Sequence, residues 1–141
     1  MNFKYFDFPI YVDKTSDIEK ILETKESVFR VFLHKSDWNP PNEELLYKIL
    51  HALKLNIEKD VQILVLEQGQ NAHISSNISN TEGQKFLAFG LNANRIGLQI
   101  KTLPYKVISI KNFKILFSHK LEDLQKNVNY KKLLWAQLQN L

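Results

Sequence analysis

The sequence predicts an α/β protein of three layers, in which helices cover both faces of a mostly parallel central sheet. The first observation is the stretch from Val61 to Leu66, where only Gln62 is polar. A short apolar run with polar flanks is typical of a strand that is buried on both faces. The second is a helical apolar pattern between this strand and an earlier one at Val28 to Leu33, which indicates a βαβ unit with parallel strands and a right-handed connection.

Length and composition favour one globular domain over residues 1–141. The 44% apolar and 24% charged content is that of an ordinary globular protein. The absence of cysteine excludes disulfides, thiolate metal sites and a cysteine nucleophile, and it fits a reducing, cytoplasmic location. No signal peptide is recognisable, and no apolar segment approaches the roughly 20 residues that span a bilayer, so we expect no membrane association.

Charge is distributed unevenly along the chain. Residues 1–84 contain 9 Lys or Arg and 13 Asp or Glu, whereas residues 85–141 contain 10 and 2. A basic C-terminal half can attract nucleic acid or an acidic partner. The same pattern also fits lysines that are simply solvated on a fold in which the two halves interdigitate.

The N-terminal segment is rich in aromatic residues, and Pro9 argues against a central strand there. The segment either packs across the core or forms an arm, residues 1–12, that docks on another protein. The candidate contacts of such an arm are its aromatic residues, Phe3, Tyr5, Phe6 and Phe8. Ser16 and Glu19 then make a capping-box pattern, so we expect a short helix that ends near Thr24.

The first predicted strand carries one charge, Arg30, which we expect near a strand end or on an open face. A loop is predicted from Asp37 to Pro41, because each proline disfavours the helical region in the residue before it. The most clearly patterned helix runs from Asn42 to Lys54. It has apolar residues at helical spacing on one face and two glutamates in its first turn.

Residues 68–84 are polar almost throughout, and this is longer than most connections in compact domains. We expect a mobile loop, which is either functional or merely tolerated. A third strand follows from Lys85 to Gly90. A short helix is compatible with residues 93–98, although Gly97 weakens it.

Two further apolar stretches, Val107 to Ile110 and Phe113 to Phe117, are predicted strands. They form either a hairpin around residues 111–112 or one strand with a bulged continuation. The last element is a helix from Tyr130 to Leu141, in which Trp135 extends an apolar stripe. The leucines expected to point inward from this helix are Leu133, Leu134 and Leu138.

No residue pattern predicts a catalytic centre, so we expect no cofactor and no metal. The four histidines are not at ligand spacing, and the four glycines make no phosphate-binding pattern. Glu67 is the most suggestive acid, since ligands bind beyond the carboxyl ends of strands in open α/β sheets; a solvated strand-end residue is the alternative. His119 also follows a strand, where it either donates to an anion or base edge or caps a turn.

The C-terminal third resembles two groups of proteins. Phe117 to Asn127, followed by Tyr130 to Leu138, is similar to the end of the uracil-DNA glycosylase superfamily, where a strand delivers a His-Pro-Ser loop before a helix with lysine and tryptophan. The same residues resemble psi subunits of bacterial DNA polymerase III, which end in a leucine–proline segment and an alanine–leucine–tryptophan helix. Lys85 to Gly90 resembles the strand and glycine of both groups.

The resemblance implies a uracil-DNA glycosylase-like fold of three layers. His119 stands in the place of the superfamily's catalytic-loop histidine, but Lys120 replaces the proline. The loops after the core strands, which include residues 34–37 and 67–71, lack the superfamily's glycine-rich motif. The resemblance therefore implies a non-catalytic relative, because base excision needs groups that bind and activate an extruded base.

Similarity to psi subunits implies a bacterial interaction protein of the DNA replication machinery, with clamp-loader subunits as candidate partners. Psi subunits are small proteins that link the clamp loader to the single-strand-binding partner chi. The alternative is a degenerate glycosylase-like domain that binds nucleic acid weakly. Its candidate contacts lie in the basic C-terminal half: Lys114, His119, Lys120, Lys126, Lys131 and Lys132.

Overall fold

A computed structural model describes residues 9–11, 29–72, 83–101, 103–110 and 113–141. It has the mixed α/β architecture with a mostly parallel sheet that the sequence predicts. All pairs of neighbouring strands in the described sheet are parallel except the last pair in the strand order, which is antiparallel.

The described residues form a six-stranded sheet. Its strands are β1 (Pro9–Tyr11), β2 (Phe29–His34), β3 (Val61–Leu66), β4 (Gln84–Phe89), β5 (Ile108–Ile110) and β6 (Phe113–Ser118). They lie in the order β1-β3-β2-β4-β6-β5. The predicted strands are therefore confirmed to within a residue or two, and of the two alternatives for the last pair the hairpin is the one observed.

Burial of β3 on both faces is confirmed, since each of its six residues is buried. Successive side chains of a strand point to opposite faces of the sheet. Ile63 and Val65 accordingly belong to one apolar cluster, while Leu64 and Leu66 belong to the other. The middle of the sheet thus separates two apolar layers.

Three α-helices are described, and all of them pack on one face of the sheet. They are α1 (Pro40–Ala52), α2 (Leu121–Lys126) and α3 (Val128–Leu138). The buried leucines that join them to the sheet are Leu46, Leu50, Leu121, Leu124, Leu134 and Leu138. Among the described residues, the opposite face is covered by the segment after β4, where Ala93–Ile96 forms a 3-10 turn that ends at Gly97, with φ 83°.

The start of α1 differs from the prediction, which placed a loop through Pro41 and the first helical residue at Asn42. The helix begins at Pro40, and both prolines occupy its first turn. Proline is tolerated there because the first N–H groups of a helix have no partner within the helix. The Asn39 side chain caps this turn by accepting a hydrogen bond from the Asn42 N–H at 3.1 Å.

The C-terminal helix begins at Val128, two residues before the predicted start, and α2 precedes it as a separate helix that the sequence pattern did not indicate. Leu134 and Leu138 are buried as predicted. The inward position predicted for Leu133 is wrong, since this side chain is 49% exposed. Each residue advances a helix by about 100°, so Leu133 and Trp135 lie on opposite flanks of the stripe that Leu134 makes.

Of the two positions predicted for Arg30, the strand end is observed, since Arg30 is the second residue of β2, and the open face is not. Arg30 is 2% exposed, within the sheet face that lies opposite the α-helices. Its guanidinium donates to the side-chain oxygens of Gln62 and Gln84 and lies 6.0 Å from the centre of the Phe86 ring. Burial lowers the pKa of Arg30 to about 10, and the two glutamine oxygens satisfy part of its hydrogen-bonding capacity.

Several predictions fall outside the described residues. These are the aromatic contacts Phe3, Tyr5, Phe6 and Phe8, the helix from Ser16 to Thr24, and residues 73–82 of the polar loop. Within the described ranges, no helix is both long and apolar enough to cross a membrane.

Replacement of Leu64 by alanine tests the burial of β3 on both faces. We expect the free energy of unfolding to fall by about 2–5 kcal/mol, because the substitution leaves a cavity in a packed layer. Leu133→Ala removes the same atoms from an exposed position, and we expect a change within about 0.5 kcal/mol. Urea unfolding monitored by circular dichroism measures both values, and equal losses would contradict the assigned burial.

Candidate functional site: the carboxyl edge of the sheet

The parallel strands of the described sheet end at one edge, which we call the carboxyl edge. It comprises residues 34–37 after β2, 67–72 after β3, 90–97 after β4 and 118–120 after β6. The strands β2 and β4 are neighbours, although the chain continues from β2 to β3 on one side and from β4 to β5 and β6 on the other. Such a switch point is where open α/β sheets usually bind ligands.

Asp37 connects the loop after β2 to the start of α2. Its carboxylate accepts hydrogen bonds from the backbone N–H groups of Leu121, at 2.7 Å, and Glu122, at 3.1 Å. The Asn42 side chain donates both to this carboxylate, at 3.1 Å, and to the Asp37 carbonyl, at 2.8 Å. A carboxylate normally caps its own helix, whereas here it caps a helix that lies more than 80 residues away in the chain.

The Asp37 side chain is buried, with 3% of the residue exposed. Burial raises the pKa of its carboxyl group above the ordinary value of 3.8, while the N–H groups of Leu121 and Glu122 oppose this shift. The carboxylate has no open approach from solvent, and its hydrogen bonds are made with neighbouring elements. Its position therefore indicates a structural cap and not a general acid that meets a substrate.

Glu67, the acid that the sequence singled out, lies at the end of β3 and forms an ion pair with Lys35 at 3.0 Å. Both side chains are exposed enough that this pair adds little stability. They line a shallow polar depression, of about 470 Å³, together with His34, Ser36 and Gln68. This depression has the size of a small-molecule site, but it is open to solvent and lacks the apolar lining typical of such sites.

Arg95 holds the start of the polar loop against the segment after β4. Its guanidinium donates to the Gln70 carbonyl, at 2.7 and 3.2 Å, and to the Asn71 side-chain oxygen at 2.9 Å. The Arg95 carbonyl in turn accepts from the Ala72 N–H at 2.8 Å. Gln70 and Ala72 are buried, so the loop predicted from residue 68 to residue 84 is anchored at its beginning.

His34 ends β2 at the switch point. Its Nδ1 accepts from the Ser36 N–H at 3.4 Å and is 3.1 Å from the Ser36 hydroxyl. Burial lowers the pKa of His34, the charges of Arg95 and Lys120 lower it further, and Asp37 opposes them. The lowered pKa favours the neutral form of His34, and the positive charges nearest to it at the switch point are those of Arg95 and Lys120.

His119 is partly buried and contacts two tyrosines. Its ring stacks on Tyr130 with a centroid separation of 4.0 Å and an angle of 7° between planes, and its Nδ1 shares a 2.8 Å hydrogen bond with the Tyr105 hydroxyl. The same hydroxyl accepts from the His119 N–H at 3.3 Å. Tyr105 has a left-handed φ of 62°, which is uncommon for an aromatic residue, and its own N–H donates to the Phe117 carbonyl.

The structure does not bring His119 and Glu67 together. They follow β6 and β3, and the strands β2 and β4 lie between these two, so the strand ends are about 14 Å apart. Within the described ranges there is also no group of three or more histidine, aspartate or glutamate side chains that could hold a metal ion.

The predicted nucleic-acid contacts do not form one patch. Lys114 lies near the start of β6, where its Nζ is 3.5 Å from the Asn140 carbonyl. Lys120 follows the other end of this strand, about 20 Å away, and its stem packs so closely on Gly90 that a side chain at Gly90 would clash with it. The remaining lysines are exposed on the helices, Lys126 on α2 and Lys131 and Lys132 on α3.

A smaller apolar cavity lies on the helix side of the molecule. This α1–α3 groove has a volume of about 170 Å³, and Leu45, Ile49, Leu124, Trp135 and Leu138 are among its lining residues. Lys131 is the one ionisable residue among the described residues that line it. Sequence analysis expected Trp135 to extend a buried stripe, but its side chain forms the rim of this groove and is 43% exposed.

The sequence analysis did not predict the hydrogen bonds by which Asp37 and Arg95 join distant parts of the carboxyl edge. Their partners lie 84 and 25 residues away in the chain, and no local pattern marks such contacts. The available signal was that a short polar segment, residues 34–37, directly follows a buried strand. Residues in that position are commonly placed at the carboxyl edge.

Comparisons of the chain with protein-family models, with curated proteins and with solved structures give no match. Its function is therefore inferred from the arrangement of its own residues. Two surfaces are candidates for a binding site. One is the carboxyl edge, and the other is the surface formed by α1, α2 and α3, which we call the helix layer and which contains the α1–α3 groove.

Replacement of Asp37 tests its role as a cap. We expect Asp37→Ala to lower the free energy of unfolding by about 2–4 kcal/mol at neutral pH, because buried donors lose their acceptor. Asp37→Asn keeps one oxygen, and we expect a loss of about 1–2 kcal/mol. Glu122→Gln changes an exposed carboxylate in the same turn and should stay within about 1 kcal/mol.

The pH dependence gives a second measure of the same contact. The folded state holds the Asp37 proton more tightly than the unfolded state, because its folded pKa is raised. Ionisation of Asp37 therefore lowers the free energy of unfolding of the wild type as pH rises from the ordinary pKa of 3.8 through the raised pKa. Asp37→Asn lacks this ionisation, so the advantage of the wild type over this variant should shrink as pH rises. Urea unfolding at several pH values measures the difference, and a difference that grows with pH would contradict the assignment.

Proposed function

We propose that this chain is a non-enzymatic protein-interaction subunit that resembles the psi subunits of bacterial DNA polymerase III. The observation that carries the proposal is that polar residues at the carboxyl edge are engaged in contacts within the fold. Asp37 caps α2, Arg95 holds the polar loop, and His119 is stacked on Tyr130. These groups contribute to the fold at the place where an α/β enzyme would expose them to a ligand.

The contacts of His119 with Tyr130 and Tyr105 argue against base excision. An extruded base must stack in a pocket and meet polar groups that activate the bond to be cut. One face of the His119 ring is covered by Tyr130, and its Nδ1 is engaged by Tyr105. Glu67 is paired with Lys35 on the far side of the switch point, so it cannot act together with His119.

A three-layer, uracil-DNA glycosylase-like architecture is part of the proposal. The parallel strands β2 and β3 are joined by α1, which lies on one face of the sheet. On the opposite face, Leu91, Ala93 and Ile96 of the segment after β4 pack on the sheet. In the proposed architecture this face carries the third layer.

The helix layer supports the interaction role. Two large apolar side chains that are exposed in the described residues, Val128 (64% exposed) and Trp135, lie seven residues apart and therefore on one flank of α3, whereas Leu133 lies on the opposite flank. Single exposed apolar residues are common, but two on one flank of a short helix indicate a candidate interaction surface. Lysines accompany them on the same helix, which favours a partner with acidic character.

The test of the proposed function is recovery of the partner complex. An affinity-tagged chain, expressed at its native level in its own host, is expected to bring down clamp-loader subunits in near-stoichiometric amounts, quantified by mass spectrometry. The tag alone serves as the control. Absence of every clamp-loader subunit from the recovered proteins would contradict the proposal.

The alternative function is weak binding of nucleic acid. The observation that favours it is the group of exposed lysines on α2 and α3, Lys126, Lys131 and Lys132. Contacts between lysines and phosphates release counterions, so such binding would weaken steeply as salt is added.

Titration with single-stranded and double-stranded DNA at low salt separates the two functions. The interaction proposal expects no saturable binding to either DNA. Under the alternative, binding would occur, its logarithm would fall linearly with the logarithm of salt concentration, and Lys131→Glu with Lys132→Glu would reduce the slope. Lys48→Glu on α1, where Lys48 pairs with Glu44, is a matched control for charge reversal on another helix.

A further inference from the structure

The α1–α3 groove has the dimensions of a site for a single side chain. Its volume is about 170 Å³, and a cavity of roughly 150 Å³ is enough to hold a benzene ring. Leu45 and Ile49 of α1 form one wall, and Trp135 and Leu138 of α3 form the other. Leucine or an aromatic residue of a partner would fill it.

The chemistry of the groove favours protein over nucleic acid. Its lining is apolar except for Lys131, so a phosphate would meet a single charge and many carbon atoms. Hot spots of protein interfaces have the arrangement seen here, in which a large aromatic residue stands beside a pocket and polar groups form the rim. Trp135 has this position, since part of its ring lines the groove and 43% of the residue remains exposed.

Charge selects the kind of partner. The exposed residues Lys131 and Lys132 lie on α3, and α3 contains no acidic residue. Two copies of this chain that met through α3 would bring these lysines together, and such a contact is unfavourable. Carboxylates that flank an apolar anchor would instead be attracted to both lysines.

We propose that the α1–α3 groove binds an acidic segment of a partner protein, and that one large apolar side chain of this segment enters the groove beside Trp135. This inference rests on the proposed interaction function and specifies the surface that carries it. The ring of Trp135 contacts this apolar anchor of the partner, and the two lysines fix the orientation of the acidic segment.

The probe is a phage-displayed library of random peptides of about 16 residues, which is selected on the full-length chain. Selected peptides are expected to carry net negative charge and at least one Phe, Leu, Ile or Trp. Their binding is then measured with the synthetic peptides by fluorescence in a Trp38→Phe variant, where Trp135 is the sole tryptophan. We expect emission to shift to shorter wavelength, because the bound anchor removes water from the Trp135 ring.

Variants locate the contact. Trp135→Ala is expected to weaken peptide binding at least tenfold, as is usual for an aromatic hot spot. Leu133→Ala removes an exposed apolar side chain from the opposite flank of the same helix and should change binding less than about twofold. The pair Lys131→Glu and Lys132→Glu is expected to weaken binding at least fivefold at low salt, with a smaller effect at high salt. Circular dichroism of each variant verifies that the fold is unchanged.

Several outcomes would overturn the inference. Selected peptides could be neutral or basic, their binding could leave the emission of Trp135 unchanged, or Trp135→Ala and Leu133→Ala could have equal effects. Nucleic acid would be the occupant instead if a single-stranded oligonucleotide of about 16 nucleotides bound the wild-type chain and this binding were lost in Trp135→Ala.

The inference and the proposed function fail separately. If tagged Trp135→Ala still recovers clamp-loader subunits, the groove is not the contact, while the interaction function stands. If wild-type chain recovers none of them but acidic peptides still require Trp135, the assignment to the replication machinery fails and the groove remains a binding site.

Discussion

Burial of the central strands on both faces is the constraint on which the rest of the structure depends. The apolar residues of β3 contribute to two separate apolar layers. The next two strands in the sheet, β2 and β4, also contribute apolar residues to both layers. A strand in this position leaves little room for polar side chains except at its ends. Arg30, Gln62 and Gln84 are buried near the starts of their strands, where the two glutamines accept hydrogen bonds from Arg30.

The polar groups at the strand ends are consequently used to join elements that are distant in the chain. Asp37 fixes the start of α2, Arg95 fixes the loop after β3, and Tyr105 fixes His119. The Asp37 contact is buried and the other two are partly buried, and each satisfies hydrogen-bonding groups that would otherwise destabilise the fold. The same contacts make those groups less available to a ligand. The helix layer, with its exposed apolar residues and lysines, is therefore the better candidate for binding.

Local patterns in the sequence predicted most of the sheet and the long helix, because apolar periodicity reports burial directly. They could not predict contacts that depend on the assembled fold, such as the cap that Asp37 provides for α2 or the polar contacts of Arg30. The exposure of Leu133 could have been predicted, because three consecutive residues of a helix cannot share one buried stripe. The place of Trp135 at the rim of a groove could not, since the groove forms only where α1, α2 and α3 come together in the folded protein.

Hydrogen exchange of backbone amides measures most directly whether binding belongs to the helix layer or to the carboxyl edge. The full-length chain would be compared with and without a saturating amount of a selected acidic peptide. The account predicts slower exchange in α1 and α3, with little change in residues 34–37 and 67–72. Slower exchange confined to those two segments, with α3 unaffected, would contradict it.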